Sequence, residues 1–421
     1  MKRVRDEPGF VMSSAEAALI LERCDDLAGL SSRPDRLERV HLSPQHRAAN
    51  DLVARWMAEA GLSTWQDAAG NQCGRLEGSG PGLPALLLGS HIDTVPDAGR
   101  YDGMLGVLLA IAVVDRMRRS GAVLPFALEV VAFSDEEGTR FGTALLGSRA
   151  LAGTWNERWW QLTDIDGITL AEAFEDFGLD PARLPEAFRP SESLVGYLEA
   201  HIEQGPQLED ADRRLAVVTS IAGARRFSLT VAGTAGHAGG TPFDRRRDAL
   251  VGASELVIAI ERLSKETGTI GTVGRLQAFP GGVNVIPGRV ELSLDLRAEF
   301  DSDRDACLAR IRAAAEEICA RRSLSFAVTE TYRADAVTCD LELQAAIAAG
   351  IRATGDADPM AFWSRAGHDG VAVAALTPFA MLFLRCRGGV SHHPDEHVTE
   401  ADVAAALDAY EAAVLHIVAS Y

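Results

Sequence analysis

Two adjacent glutamates, Glu136 and Glu137, follow the apolar run 126–132, which has the composition of a buried strand. A carboxylate at the end of such a strand is costly unless a cation or hydrogen bonds compensate its charge. Successive side chains of an extended segment point in opposite directions, so one glutamate can bind a metal while the other faces a reacting water. Taken alone, the pair is more typical of a solvated turn.

A histidine and an aspartate follow another apolar run, residues 83–89. His91 and Asp93 are two positions apart and share one face of an extended chain. A metal-binding imidazole usually donates its other N–H to a carboxylate, and Asp93 is placed to accept that hydrogen bond. Asp102 precedes a predicted helix over residues 105–118, where it can cap the helix or bridge two metal ions.

Five potential metal ligands lie at or just beyond the ends of predicted strands: His91, Asp102, Glu137, His201 and His392. Strand ends at the same edge of an α/β sheet converge in the crevice where such folds place their sites. Three imidazoles and two carboxylates suit zinc and similar divalent ions. A bridging Asp102 would hold two ions about 3.5–4 Å apart, the arrangement that activates water.

The elements that must position these residues form two groups. Residues 1–221 and 335–421 predict an α/β catalytic domain with a helix-covered mixed sheet. Between them, residues 222–334 read strand, helix, strand, strand, helix, strand, the order of a ferredoxin-like α+β unit. The length of 421 residues also favours two domains.

Composition narrows the class of partner. The net charge of −19 argues against nucleic acid and anionic membranes as partners, since both require a basic surface. Six scattered cysteines without C-x-x-C spacing exclude a zinc ribbon, give no disulfide framework and suggest a reducing cytoplasm. The start, residues 1–8, lacks the apolar core of a secretory signal, and the apolar runs are expected to be too short to span a membrane.

Eight motifs occur in one order along the chain: Ser90-His91-Ile92-Asp93-Thr94, Tyr101-Asp102-Gly103, Glu136-Glu137-Gly138-Thr139-Arg140-Phe141, His201-Ile202-Glu203-Gln204-Gly205, Gly236-His237-Ala238-Gly239, Asn284-Val285-Ile286-Pro287, Gly367-His368-Asp369 and Ser391-His392. Together they resemble the M20 metallopeptidase-like amidohydrolases. The resemblance is to the branch that holds N-carbamoyl-L-amino acid hydrolases, β-ureidopropionases and allantoate amidohydrolases, and it covers nearly the whole chain.

The resemblance implies a centre of two divalent ions, zinc or manganese, with nickel and cobalt also suited. It assigns one ion to His91 and His201, the other to Glu137 and His392, and a bridging place to Asp102. Glu136 would be the general base and then the proton donor to the leaving nitrogen. His393 competes with His392 as a ligand, but the Ser-His motif favours His392, and His397 is expected at the surface.

The residues that the resemblance implies for substrate binding are Gln204, His237, Asn284, Arg297, Gly367, His368, Gly388 and Gly389. Arg297 can bind a substrate carboxylate in a bidentate way, or it can pair at the surface with Asp295. His237 would stabilise the oxyanion and would come from a partner copy. This implies a homodimer formed through the inserted domain, which is also expected to act as a lid.

The implied reaction is hydrolysis of a terminal ureido group with release of ammonia and carbon dioxide. Residues 97–102 and the segment Arg385-Cys386-Arg387-Gly388-Gly389 look more like allantoate amidohydrolases, so allantoate, which carries a carboxylate, is the expected substrate. An N-carbamoyl amino acid is the main alternative, and an M20 aminoacylase or peptidase activity is a more remote one. Arg365 stands where the family usually has glycine, which affects the expected shape of its loop and the size of the pocket.

Overall fold

The computed structural model describes the backbone of residues 8–421 and side chains from Ser13 onward, so most of the segment predicted to lack a secretory signal lies outside the described residues. Within this range the helices are α1 Pro8–Ala28, α2 Pro44–Glu59, α3 Met104–Ser120, α4 Leu146–Leu151, α5 Leu170–Asp176, α6 Gln207–Asp210, α7 Ala249–Thr267, α8 Asp301–Arg322, α9 Leu341–Ala353, α10 Gly370–Val373 and α11 Glu400–Ser420. The strands are β1 Ser63–Gln66, β2 Gln72–Leu76, β3 Ala85–His91, β4 Ala127–Phe133, β5 Leu194–Ile202, β6 Leu215–Ile221, β7 Gly223–Ala232, β8 Gly236–His237, β9 Ile270–Thr272, β10 Leu276–Phe279, β11 Val285–Ile286, β12 Arg289–Ala298, β13 Ser325–Ala334, β14 Val337–Thr338, β15 Met360–Ser364 and β16 Phe379–Leu384.

These elements form two compact units. The first unit comprises the chain up to Thr219 together with Cys339–Phe362 and Gly367–Tyr421. The second unit comprises Ser220–Thr338 and the short segment Trp363–Ala366, which the sequence boundaries 222–334 do not include.

The first unit is built on a mixed sheet with the strand order β1-β2-β4-β3-β5-β16-β6. Strands β4, β3, β5 and β16 are mutually parallel, whereas β1, β2 and β6 pair antiparallel with their neighbours. Every residue of β3, β4 and β16 is buried, as their largely apolar sequences predict. Helix α3 packs on β3, β4 and β5, and α9 and α11 pack on β16. The predicted mixed α/β class is therefore confirmed.

A local sequence signal explains where α2 begins, whereas the candidate cap of α3 does not form. Ser43 caps α2, since its Oγ accepts a hydrogen bond from His46 N at 3.1 Å, and Pro44 follows at the first helical position. Asp102 does not cap α3: the residue before that helix is Gly103, with φ of 70°. The tryptophan-rich stretch near residue 157 forms the short 3₁₀ turn Glu157–Gln161.

The second unit has the element order that its sequence predicts. Strands β10, β12, β7 and β13 form an antiparallel sheet in that order, with β9 also paired to β12. Val290, Leu292, Leu294 and Leu296 of β12 are buried, and they pack in one core with α7 and α8. The alternation of apolar and polar residues along β12 thus places one face of the sheet under the helices.

One expectation about apolar length is wrong. Helix α11 is long and apolar enough to cross a membrane by length and composition, which the sequence analysis overlooked. Half of its apolar window is buried inside the fold, where it packs against α1 and α9. Its hydrophobicity is therefore that of a helix in the core of a globular unit.

Candidate metal centre

The centre forms where parallel strands of the first unit end. His91 is the last residue of β3, and His201 is the penultimate residue of β5. Glu136 and Glu137 follow the end of β4, and His392 lies on the segment after β16. Because these strands are parallel neighbours, their carboxyl ends share one edge of the sheet.

Asp102 stands between two groups of potential ligands. Its Oδ1 lies 3.1 Å from His201 Nε2 and 3.7 Å from His91 Nε2, and its Oδ2 lies 3.1 Å from His392 Nε2. His392 Nε2 is also 3.5 Å from Glu137 Oε1. In the first group, His91, Asp102 and His201, the ligand atoms all lie within 4.8 Å of one another. The same is true of the second group, Asp102, Glu137 and His392. Each carboxylate oxygen of Asp102 therefore serves a different group.

The imidazole nitrogens that face Asp102 are suited to a cation. Nδ1 of His201 lies 2.9 Å from the Ile202 carbonyl oxygen, and Nδ1 of His91 lies 3.2 Å from that of Asp93. A carbonyl only accepts, so in a neutral ring Nδ1 carries the hydrogen and Nε2 presents its lone pair. Nε2 of His201 is buried and makes no hydrogen bond of acceptable geometry. A lone pair that faces a carboxylate oxygen is unfavourable without a positive charge between them, so these residues fit divalent cations.

The centre contains several buried carboxyl groups, and their pKa values are shifted from the ordinary ones. Burial raises the pKa of Glu136 well above its ordinary value, and burial together with the charge of Asp102 raises the pKa of Glu137 to about 7. Burial alone would raise the pKa of Asp102, but the adjoining imidazoles hold it well below its ordinary value. A hydrogen bond to Asp102 raises the pKa of His392 to about 9. The centre thus has a surplus of negative charge that cations would compensate.

Asp93 does more than the sequence predicted. Its Oδ1 lies 3.3 Å from Nδ1 of His91, consistent with the expected support of that imidazole. The same oxygen accepts a hydrogen bond from the backbone N–H of Glu136 at 2.9 Å, and Oδ2 accepts one from that of Glu137 at 3.1 Å. One fully buried carboxylate therefore fixes both the end of β3 and the two glutamates after β4.

The position before α3 has no room for a side chain. Gly103 has φ of 70°, and a Cβ at this position would lie 2.5 Å from ring atoms of His91. Asp102 can approach the imidazoles only because the next residue has no side chain.

The second histidine of the Ser391-His392-His393 segment points elsewhere. His393 Nδ1 accepts a hydrogen bond from the backbone N–H of Asp395 at 3.1 Å, and its side chain is exposed. His392, in contrast, faces Asp102 and Glu137. This supports the preference for His392 as the ligand. His397, expected at the surface, is only partly exposed and packs edge-on against Tyr101.

Three of the predicted substrate-binding residues adjoin this centre. Gln204 Nε2 donates to Asp102 Oδ2 at 3.0 Å and lies 3.1 Å from Ser391 Oγ. Gly367 is exposed and stands beside Glu136, since a Cβ there would lie 3.7 Å from Glu136 Oε1. His368 is buried and packs edge-on against His201, with ring centroids 4.5 Å apart.

The remaining candidate of the first unit is a backbone position. Gly388 is exposed, and its N–H donates to Glu209 Oε2 at 2.6 Å, so this N–H is already paired within the unit. Gly389 follows it in the same short turn, Arg387–Gly389.

In the second unit, His237 and Asn284 are neighbours. Strand β8 pairs with β11 so that His237 faces Val285, and Ala238 N donates to the Asn284 carbonyl at 2.9 Å. His237 is exposed, and its Nδ1 accepts from Gly240 N at 2.9 Å. In the neutral ring the hydrogen is therefore on Nε2, which is the tautomer that can donate to an oxyanion.

Arg297 of the second unit already has partners. Its Nε and Nη2 donate to Asp295 at 2.8 and 3.3 Å, and Nη1 donates to the carbonyl of Arg365 at 2.9 Å. The structure thus shows the ion pair that the sequence left open, and a substrate carboxylate would have to compete with Asp295. The Arg365 guanidinium lies over the Trp363 ring, 5.6 Å from its centroid.

Glu199 was missed by the sequence analysis. It is fully buried on β5, accepts a hydrogen bond from Ser90 Oγ at 2.9 Å, and lies within ligand distance of His201 and His368. Its position two residues before His201 places both side chains on one face of the strand, and this was the available signal.

Comparison with known proteins identifies the family. The model of peptidase family M20/M25/M40 matches residues 87–416. The chain is 42% identical over 387 residues to the N-carbamoyl-L-amino acid amidohydrolase of Geobacillus stearothermophilus, covering 91% of this chain and 94% of that protein. It is 40% identical over 415 residues to the allantoate deiminase of Arabidopsis thaliana, covering 91% and 79%. A solved hydantoinase/carbamoylase family amidase from Burkholderia multivorans superimposes with a TM-score of 0.88 at 32% identity, covering 95% and 97%. The chain therefore belongs to peptidase family M20/M25/M40 and is a hydrolase of that family.

Proposed function

We propose that the chain hydrolyses the terminal ureido C–N bond of a small substrate at a centre of two divalent metal ions, and that this substrate is allantoate. The observation that carries the proposal is the position of Asp102, whose Oδ1 faces His91 and His201 while its Oδ2 faces His392. A carboxylate shared between two ligand groups suits a two-metal hydrolase.

Two divalent ions, zinc or manganese, would be held by His91, Asp102, Glu137, His201 and His392. When bound, they supply Lewis acidity that polarises a carbonyl and makes water more acidic. Glu136 is the group that moves the proton. Its backbone is fixed by Asp93, and a carboxylate oxygen takes the proton of the attacking water and passes it to the leaving nitrogen.

The products follow from this transfer. Cleavage of the terminal C–N bond releases ammonia and leaves a carbamate, which decomposes to carbon dioxide and the amine. His237, presented by a second copy of the chain in a homodimer, is proposed to donate its Nε2–H to the oxyanion. The six buried, free cysteines support the proposed reducing cytoplasm.

The choice between the two ureido substrates depends on the segment after β16. Arg385 is held by Asp402 at 3.0 Å and Asp212 at 3.3 Å, so its role is structural. Arg387 is exposed, and its guanidinium is the remaining candidate in this segment to bind a second polar arm of allantoate. An N-carbamoyl-L-amino acid is the second candidate, because a relative with that activity in its name is 42% identical over nearly its whole length.

A substrate panel tests the proposal. With added manganese, ammonia release is measured from allantoate, N-carbamoyl-L-amino acids and N-carbamoyl-β-alanine, and release of free amino acid is measured from N-acetyl amino acids and dipeptides. We expect the highest kcat/KM for allantoate and no cleavage of the last two classes. Preference for an N-carbamoyl amino acid would replace the substrate and keep the reaction. Cleavage of N-acetyl amino acids or dipeptides alone would refute the ureido reaction.

A further inference from the structure

Glu396 is a buried carboxylate to which neither the motifs nor the proposed mechanism gives a role. It lies four residues after His392 and is 3% exposed. Among the described residues, no arginine or lysine forms an ion pair with it within 4.0 Å. A buried carboxylate without a cationic partner is costly, and its hydrogen bonds offset part of that cost.

Those hydrogen bonds join two segments of the first unit. Glu396 Oε1 accepts from the backbone N–H of Tyr101 at 2.8 Å and from that of Asp102 at 3.1 Å. Its Oε2 accepts from Ser391 Oγ at 2.9 Å. One carboxylate therefore ties the turn that carries Asp102 to the segment that carries His392.

The packing around Glu396 leaves little room for adjustment. A Cβ on Gly99 would collide with the carboxyl group of Glu396, so the turn before α3 lies directly on it. Ser391 Oγ stands between Glu396 and Asp102, 3.2 Å from Asp102 Oδ2. Displacement of Glu396 would thus move both the backbone and the side chain of Asp102.

The two ligand groups differ in how firmly the rest of the unit holds them. His91 and His201 are buried, with side chains 2% and 1% exposed. His392 is 49% exposed and has φ of 54°, an unusual backbone conformation for a residue with a side chain. The position of His392 therefore depends more on its own segment, which Glu396 anchors.

We infer that Glu396 is a positioning residue for the proposed metal centre. It holds Asp102 and the His392 segment at the separation required by the second ion, which is the ion at Glu137 and His392. The inference rests on the proposed function. Glu396 acts through the N–H groups of Tyr101 and Asp102 and through Ser391, and it is not itself a ligand. Loss of Glu396 should therefore weaken the binding of the ion at Glu137 and His392 much more than the binding of the ion at His91 and His201.

The test compares Glu396→Ala, Glu396→Gln and the control Asp395→Ala, each as the full-length protein. Asp395 is the adjacent carboxylate, and its side chain is 82% exposed. Manganese binding is measured by isothermal titration of the metal-free proteins, and bound metal is counted after dialysis. Mutation of a residue that supports a metal ligand typically lowers metal affinity about 10–100-fold. We therefore expect Glu396→Ala to bind one ion tightly and the second ion about 10–100-fold more weakly than wild type.

The conservative variant separates positioning from general folding. The amide oxygen of Glu396→Gln can still accept from both backbone N–H groups, and its NH₂ can donate to Ser391 Oγ, so we expect the second ion to bind within a few-fold of wild type. Asp395→Ala should bind both ions normally. Two tight ions in Glu396→Ala would overturn the inference and leave the proposed function intact. Equal loss of both ions in the alanine and glutamine variants would also overturn it, as the sign of a merely structural role.

Failure of the proposed function would be seen in the wild-type protein instead. If wild type binds two ions but releases no ammonia from any ureido substrate, the proposed reaction is wrong. The binding comparison between Glu396→Ala and Glu396→Gln still decides the positioning role in that case, because it requires no turnover.

Discussion

Replacement of Asp93 by asparagine removes one charge at the point where three parts of the proposed centre meet. The buried carboxylate accepts hydrogen bonds from the backbone N–H groups of Glu136 and Glu137 and adjoins Nδ1 of His91. An asparagine oxygen can replace one of these acceptors, but its NH₂ group then faces a second N–H donor. One charge-assisted hydrogen bond, worth about 1.5–3 kcal/mol, is lost, and one buried donor is left unpaired.

We therefore expect Asp93→Asn to lower the free energy of unfolding of the metal-free protein by about 2–3 kcal/mol. If displacement of Glu136 costs the transition state a similar amount, kcat falls about 30–150-fold, since 1.36 kcal/mol corresponds to a factor of ten. Urea unfolding after chelation gives the first quantity, and ammonia release from the best ureido substrate gives the second.

Asp97→Asn is the matched control. Asp97 is exposed, lies four residues away on the same loop, and has φ of 58°, which asparagine tolerates. Its replacement should change the free energy of unfolding by no more than about 0.5 kcal/mol and leave kcat unchanged. If Asp93→Asn behaves like Asp97→Asn in both measurements, the Asp93 carboxylate does not fix the two glutamates.

Two further predictions concern neighbouring positions. Gly103→Ala should abolish tight manganese binding at His91 and His201, because the new methyl group meets the His91 ring; unchanged manganese affinity in titration would contradict the steric argument. Burial lowers the pKa of His41 to about 4, so its contribution to stability is complete above pH 6.5 and is lost as the pH falls toward 4. That loss amounts to about 3 kcal/mol, and His41→Gln should flatten the pH dependence of urea unfolding in this window; an unchanged slope would show that His41 is not its source.

The apolar runs of the sequence were enough to bring the candidate metal ligands together. His91, Glu137 and His201 were found because each lies at or just beyond the end of a largely apolar run, and such runs form neighbouring parallel strands whose ends must converge. The order of strands and helices in the second unit was predictable for a similar reason, since β12 alternates apolar and polar residues without a break.

Side-chain partners were less predictable, because they depend on tertiary contacts. Nothing in the local sequence indicates that Glu396 reaches the backbone of Tyr101 and Asp102, from which it is separated by nearly 300 positions. The sequence left Arg297 either to a substrate carboxylate or to Asp295, and only the structure shows that Asp295, two residues away on the same face of β12, takes two of its donors. Helix α11 shows that hydropathy alone does not distinguish a core helix from a membrane span, because a core helix can be equally apolar.

In the proposed mechanism Glu136 moves the proton, at a centre that holds two ions without its help. The most direct test counts bound manganese and measures ammonia release from allantoate in the same samples of wild type and Glu136→Gln. We predict two ions per chain in both proteins and a rate lowered by at least about 10²–10⁴-fold in the variant. Wild-type turnover by Glu136→Gln with both ions in place would contradict the assignment of the base, and wild-type protein that binds no manganese would contradict the metal centre itself.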